Sequence, residues 1–170
     1  MPRLLAALTI LACACVPAAP ASASPRLWAT VNVCDTETAP DSMGVRAGMS
    51  GPGAQRMYMR FRAEHWNRAR QTWVPVPGTG TSPWVYAGEG GDPRQAGWTF
   101  SFAEPEAGAT FTMRAVVEFE WRAAVRRRAK PRAAKRVRVL RRATRVTETG
   151  ILGVERGDPP GTSKALCLVA

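Results

Sequence analysis

Hydrophobic and polar residues alternate along much of this chain, and the longest run, residues 110–121, sets the pattern for the rest. Phe111, Met113, Ala115, Val117, Phe119 and Trp121 fall on one side. Thr110, Thr112, Arg114, Glu118 and Glu120 fall on the other, where Val116 is the one apolar residue. Successive side chains of a strand point to opposite faces, so the run predicts a strand with one face in a core and one toward water. Residues 56–64 repeat the pattern, with Met57, Met59, Phe61 and Ala63 inward and Arg56, Tyr58, Arg60, Arg62 and Glu64 outward. Shorter strands are predicted at 29–34, 45–49, 73–76, 98–102, 137–146 and 165–169.

Turn signals separate these segments. Ser50-Gly51-Pro52-Gly53, the loop 77–83, Gly88-Glu89-Gly90-Gly91-Asp92-Pro93 and Glu104-Pro105-Glu106-Ala107-Gly108 carry the Gly, Pro and Asp that break regular structure. Residues 150–163 form a Gly/Pro-rich loop before the last strand. No stretch holds a helical period. Many short strands between turns predict an all-β chain, an antiparallel β-sandwich.

Pro105, Gly108, Thr110, Phe111, Met113 and Ala115 run in the order Pro, Gly, Thr, aromatic, then alternating apolar residues. This resembles the turn and strand late in fibronectin type III and related immunoglobulin-like domains. The strand ending at Trp121 and the basic strand after it are similar to immunoglobulin-like modules of secreted bacterial proteins, including the CARDB-like group. The resemblance covers about twenty residues, 102–121. It implies an immunoglobulin-like sandwich that serves as a spacer, an adhesion unit or a binding domain, and the fold does not choose among these.

The first 23 residues are set apart by composition. Arg3 precedes an uncharged apolar run over 4–16, and Ala21-Ser22-Ala23 is a small-x-small cleavage site, so 1–23 reads as a secretory signal peptide with cleavage before Ser24. The run is too short for a membrane span of about 20 residues, and no later segment is apolar enough to cross. Ile10-Leu11-Ala12 before Cys13 leaves a lipoprotein signal as the alternative, with a lipid anchor at Cys13 or Cys15. The expected location is secreted or otherwise extracytoplasmic, and the expected single domain spans 24–170.

Export changes how the cysteines read. Cys34 and Cys167 remain near the ends of the mature chain, and a pair in an oxidising compartment predicts a disulfide. Two cysteines and one histidine do not make a four-ligand metal site. His65 is the sole base on which a nucleophilic triad would be built; it sits at a strand end beside Trp66, and no Gly-x-Ser-x-Gly elbow is present. Glu118 and Glu120, two apart on one polar face, read as solvated carboxylates or as partners of basic residues on the next strand. The six tryptophans, at 28, 66, 73, 84, 98 and 121, divide into core residues such as Trp98 and Trp121 and candidates for exposure, Trp73 and Trp84. No catalytic residue, cofactor or metal is expected.

Charge is the remaining signal. The chain carries a net charge of +11, yet residues 122–145 alone hold twelve Lys or Arg and no acid. Arg126, Arg127, Arg128, Lys130, Arg132, Lys135 and Arg136 cluster in a segment 122–136 that reads as the tip of a long basic hairpin, too polar to pack and suited to anions. The expected function is a secreted, non-enzymatic immunoglobulin-like module that binds or builds at the cell surface. The alternative is a polyanion-binding protein acting through 122–136 on a wall polymer, an anionic lipid surface or nucleic acid.

Overall fold

The computed structural model describes residues 27–123 and 138–170. Residues 1–23, expected to be a signal peptide, lie outside the described residues with Cys13 and Cys15, and so do Arg126, Arg127, Arg128, Lys130, Arg132, Lys135 and Arg136.

The described chain is built from antiparallel strands. They are β1 (Trp28–Thr36), β2 (Ala39–Met49), β3 (Gln55–Asn67), β4 (Thr72–Pro75), β5 (Val85–Glu89), β6 (Arg94–Ser101), β7 (Phe111–Ala123), β8 (Val139–Val146) and β9 (Cys167–Val169), with one 3-10 turn at Gly78–Gly80. The smaller sheet has the order β1-β2-β6, and the larger has the order β4-β3-β7-β8. β7 fills one edge of β3 along most of its length, so β4 and β5 share the other edge. β8 and β9 likewise share the far edge of β7.

Alternation explains how the two sheets meet. Val31, Met43, Val45, Ala47 and Met49 of the smaller sheet lie in one cluster with Met57, Met59, Phe61, Ala63, Met113, Ala115, Val117, Phe119 and Trp121 of the larger. Each inner position of β3 and β7 expected from the pattern is buried except Phe111, which is 46% exposed. Phe111 opens β7 and pairs only with Val169, so it stands beyond the end of the core. Trp121 closes the other end. Its indole N–H donates to the Ser50 carbonyl at 3.0 Å, and a side chain at Gly51 would collide with the ring. Methionine supplies much of the filling: Met43, Met49, Met57, Met59 and Met113 are each exposed by 3% or less.

Cys34 of β1 and Cys167 of β9 form a disulfide with Cα atoms 5.4 Å apart, joining the first strand to the last. The Gly/Pro-rich stretch 150–163 is irregular and lies along β1. The Asp158 N–H donates to the Asn32 carbonyl, while Val31 and Lys164 exchange backbone hydrogen bonds at 2.9 Å. The Asn32 side chain donates to the carbonyls of Glu155 and Arg156, so the outer edge of β1 is covered. Three strands extend the sequence-based assignment. β2 begins at Ala39 and β6 at Arg94, both earlier than their apolar alternation, and β5 has no alternation long enough to mark it.

Candidate functional site: the outer face of the larger sheet

The outward positions of β3 and β7 are where the polar residues of the alternation must go, and the sheet brings them side by side. Register sets Tyr58 opposite Glu120, Arg60 opposite Glu118, Arg62 opposite Val116, and Glu64 opposite Arg114. β8 continues three of these rows with Arg142 beside Glu120, Thr144 beside Glu118 and Val146 beside Val116. Cross-strand neighbours at this spacing interact directly.

Two kinds of contact link the face from end to end. At one end Arg56 lies over Tyr86 at 4.8 Å, Tyr86 packs on Tyr58 at 5.2 Å, and Arg122 lies over Tyr58 at 3.9 Å. Arg122 and Arg60 both reach the Trp84 ring, at 4.9 and 4.8 Å. In the middle Arg60 pairs with Glu118 at 2.6 Å, and Arg62 bridges Glu118 and Glu64 at 3.5 and 3.3 Å. At the far end Arg114 pairs with Glu64 at 2.8 Å and lies over Trp73 at 4.2 Å, and Trp73 packs on Trp66 at 5.4 Å. Guanidinium is planar and weakly hydrated, which suits it to stacking on rings while its N–H edges meet carboxylates in plane.

The stacking closes parts of this face to water. Glu64 is 6% exposed and Glu120 is 4% exposed, although both occupy outward positions. Val116, the apolar residue on the polar side, is likewise buried at 6%. Glu120 accepts from Arg122 and Arg142, both at 2.8 Å. Burial pushes its pKa up, but the hydrogen bonds from Arg142 and Arg122 and their charges outweigh that and hold the carboxyl below the usual glutamate value.

Arg56, Arg60, Arg62, Arg114, Arg122 and Arg142 share the face with Glu64, Glu118 and Glu120, which they contact, and with Glu89, which stands opposite Arg56, so arginine exceeds carboxylate there by two. β7 ends at Ala123 and β8 starts at Val139, which lies opposite Arg122.

Other candidates fall elsewhere. His65 is half-buried and lines an apolar cavity of about 190 Å³ with Val76, Phe102, Phe111, Met113 and Val169. Among the described residues no group of three metal-ligating side chains occurs, there or elsewhere. Gly88-Glu89-Gly90-Gly91-Asp92 turns between β5 and β6 and docks by Gly90 and Gly91 N–H groups on the carbonyls of Gln55 and Gly51. Trp73 and Trp84 are half-buried under arginines, not exposed platforms. Alternation marks Tyr58 and the outward arginines of β3 and β7, and the Pro/Gly loop singles out Trp73 and Trp84, but nothing in the sequence brings Trp84 and Tyr86 to this face: they arrive from β5 and the loop before it, for which alternation gives no sign.

No family model, curated protein or solved structure matches this chain. Its role has therefore to be read from the all-β fold and from this face.

Proposed function

We propose that this chain is an exported, non-enzymatic immunoglobulin-like module that binds a polyanion on the outer face of its larger sheet, with the basic segment 122–136 extending the surface. The strand order supports the immunoglobulin-like reading. First, second and sixth strands in one sheet, with third, seventh and eighth in the other, follow the A-B-E and C-F-G arrangement of that fold. The disulfide and the signal-like residues 1–23 support export.

The observation that carries the ligand class is the excess of arginine over carboxylate on one sheet face. Arg56 lies over Tyr58 and Tyr86 and makes no ion pair with Glu89, the acid opposite it, so its N–H groups are available to an anion. Phosphates, sulfates and carboxylates on a polymer all suit such an array. The rings of the face, Tyr86 with them, carry arginines over them, which favours backbone charge over base stacking as the recognised feature.

Retention on heparin and on anionic vesicles over a salt series tests this. Wild-type binding should fall steeply with salt, since each neutralised phosphate releases counterions. Replacing Arg126, Arg127, Arg128, Lys130 and Arg132 together with Ser should weaken it sharply. Adding Arg56→Ser should weaken it further and lower the salt slope by about one. Equal, salt-insensitive behaviour on anionic and neutral vesicles would refute the reading.

A further inference from the structure

β8 is an edge strand. Among the described residues it pairs with β7 alone. The direction of its backbone groups follows from the register. The Thr147 N–H donates to the Ala115 carbonyl at 2.9 Å, and antiparallel hydrogen-bonded pairs recur at every second residue. Arg145 opposite Val117 and Ala143 opposite Phe119 therefore spend their N–H and C=O groups on β7. Arg142, Thr144 and Val146 turn theirs away from the sheet. Among the described residues one of those outward groups is met: the Thr144 carbonyl accepts from the Arg145 side chain at 3.0 Å. The edge ends where the Glu148 N–H donates to Ala29 of β1.

We propose that this edge accepts an acidic, extended peptide segment of another protein as an added strand. An unpaired edge is a template for strand addition, in which main-chain hydrogen bonds give affinity and alternate side chains give specificity. Charge selects the occupant. Residues 138–147 hold Arg138, Arg141, Arg142 and Arg145 and no acid. A second copy of this chain would set four arginines against four, which opposes edge-to-edge dimers. A phosphate polymer brings acceptors only and would leave the outward carbonyls of Arg142 and Val146 unpaired, whereas a peptide brings a donor and an acceptor at each residue. Val146, exposed at 41%, follows Arg142 and Thr144 on the outer face, and Leu140, exposed at 42%, stands at the bulge before them, so glutamates alternating with apolar residues fit the added strand.

Strand addition is a different event from polyanion binding, and one experiment separates the two. The probe is a synthetic eight-residue peptide alternating Glu with Val, offered to the purified full chain. A second peptide of the same sequence is N-methylated at alternate amides, which keeps the charge and removes the main-chain donors. The unmodified peptide should bind, and it should slow hydrogen exchange at Arg142, Thr144 and Val146. The N-methylated peptide should bind at least about tenfold more weakly. Thr144→Pro removes one outward N–H and no charge, a change that an edge strand tolerates; it should weaken the peptide about tenfold and leave heparin retention intact. Equal binding of the two peptides, or exchange unchanged at those three amides, would overturn the proposal. Should Thr144→Pro fail to fold, the two peptides on the wild-type chain decide it. Heparin binding lost with peptide binding kept would refute the polyanion reading alone.

Discussion

Glu120 illustrates how far one side chain depends on its neighbours. Its carboxyl is nearly closed to water, which by itself favours the neutral acid, yet Arg142 and Arg122 keep it ionised and lower its pKa. A carboxyl with a folded-state pKa below its unfolded value stabilises the fold above the unfolded value and loses that contribution as pH falls through the folded one. The melting temperature should therefore drop on acidification below the ordinary glutamate value of 4.5. Glu120→Gln should melt lower than wild type near neutral pH, and the gap should narrow as pH falls; a thermal melt series over pH measures it. Alternation along β7 places Glu120 on the polar side, and there it is. Its burial is invisible to that rule, because the cover comes from arginine stems and aromatic rings on neighbouring strands and on the loop before β5. Glu64 and Val116 are hidden for the same reason.

Among the strands, β7 carries the larger sheet. It has β3 along one edge and β8 and β9 along the other, and its inner face supplies Met113, Ala115, Val117, Phe119 and Trp121 to the core. Phe119→Ala should cost about 3–5 kcal/mol through lost transfer energy and the cavity left behind. Arg145→Ala, on the exposed edge strand, should cost under about 0.5 kcal/mol. Denaturant midpoints compare the two, and similar shifts would contradict the pairing of β7 with β3 and β8. β3 and β7 are legible in the sequence since each has a long run with one dry and one wet face. β5 is not, because it is five residues long, starts two residues after Pro83 and contains Gly88 at φ +134°. β2 extends back to Ala39 through Pro40, Asp41 and Gly44, residues poor in strand propensity, because β1 and β6 pair with it on both sides.

Across the whole molecule, the bond between Cys34 and Cys167 closes a sequence separation of 133 residues. In the chain-entropy account, a loop of that length stabilises the folded state by about 5 kcal/mol, chiefly by restricting the unfolded chain. Replacing both cysteines with Ser should lower the denaturant midpoint strongly with little change in the folded circular dichroism spectrum. An unchanged midpoint would mean the unfolded chain gains nothing from release. The pairing is readable from Cys34 and Cys167 once residues 1–23 are read as a signal. The partition of strands between sheets is not, since it depends on contacts between distant segments, such as 158–164 lying on β1, that leave no periodic trace.

The methionine core has a consequence under oxidants. A thioether becomes a sulfoxide only where a peroxide can reach the sulfur, and Met43, Met49, Met57, Met59 and Met113 are sealed between the sheets. Reaction must wait for a rare parting of the fold. A sulfoxide formed in that interval is too polar to return to the gap it left, so the opening cannot simply reverse. Chemical lifetime in a peroxide-rich setting is then set by how seldom the molecule breathes.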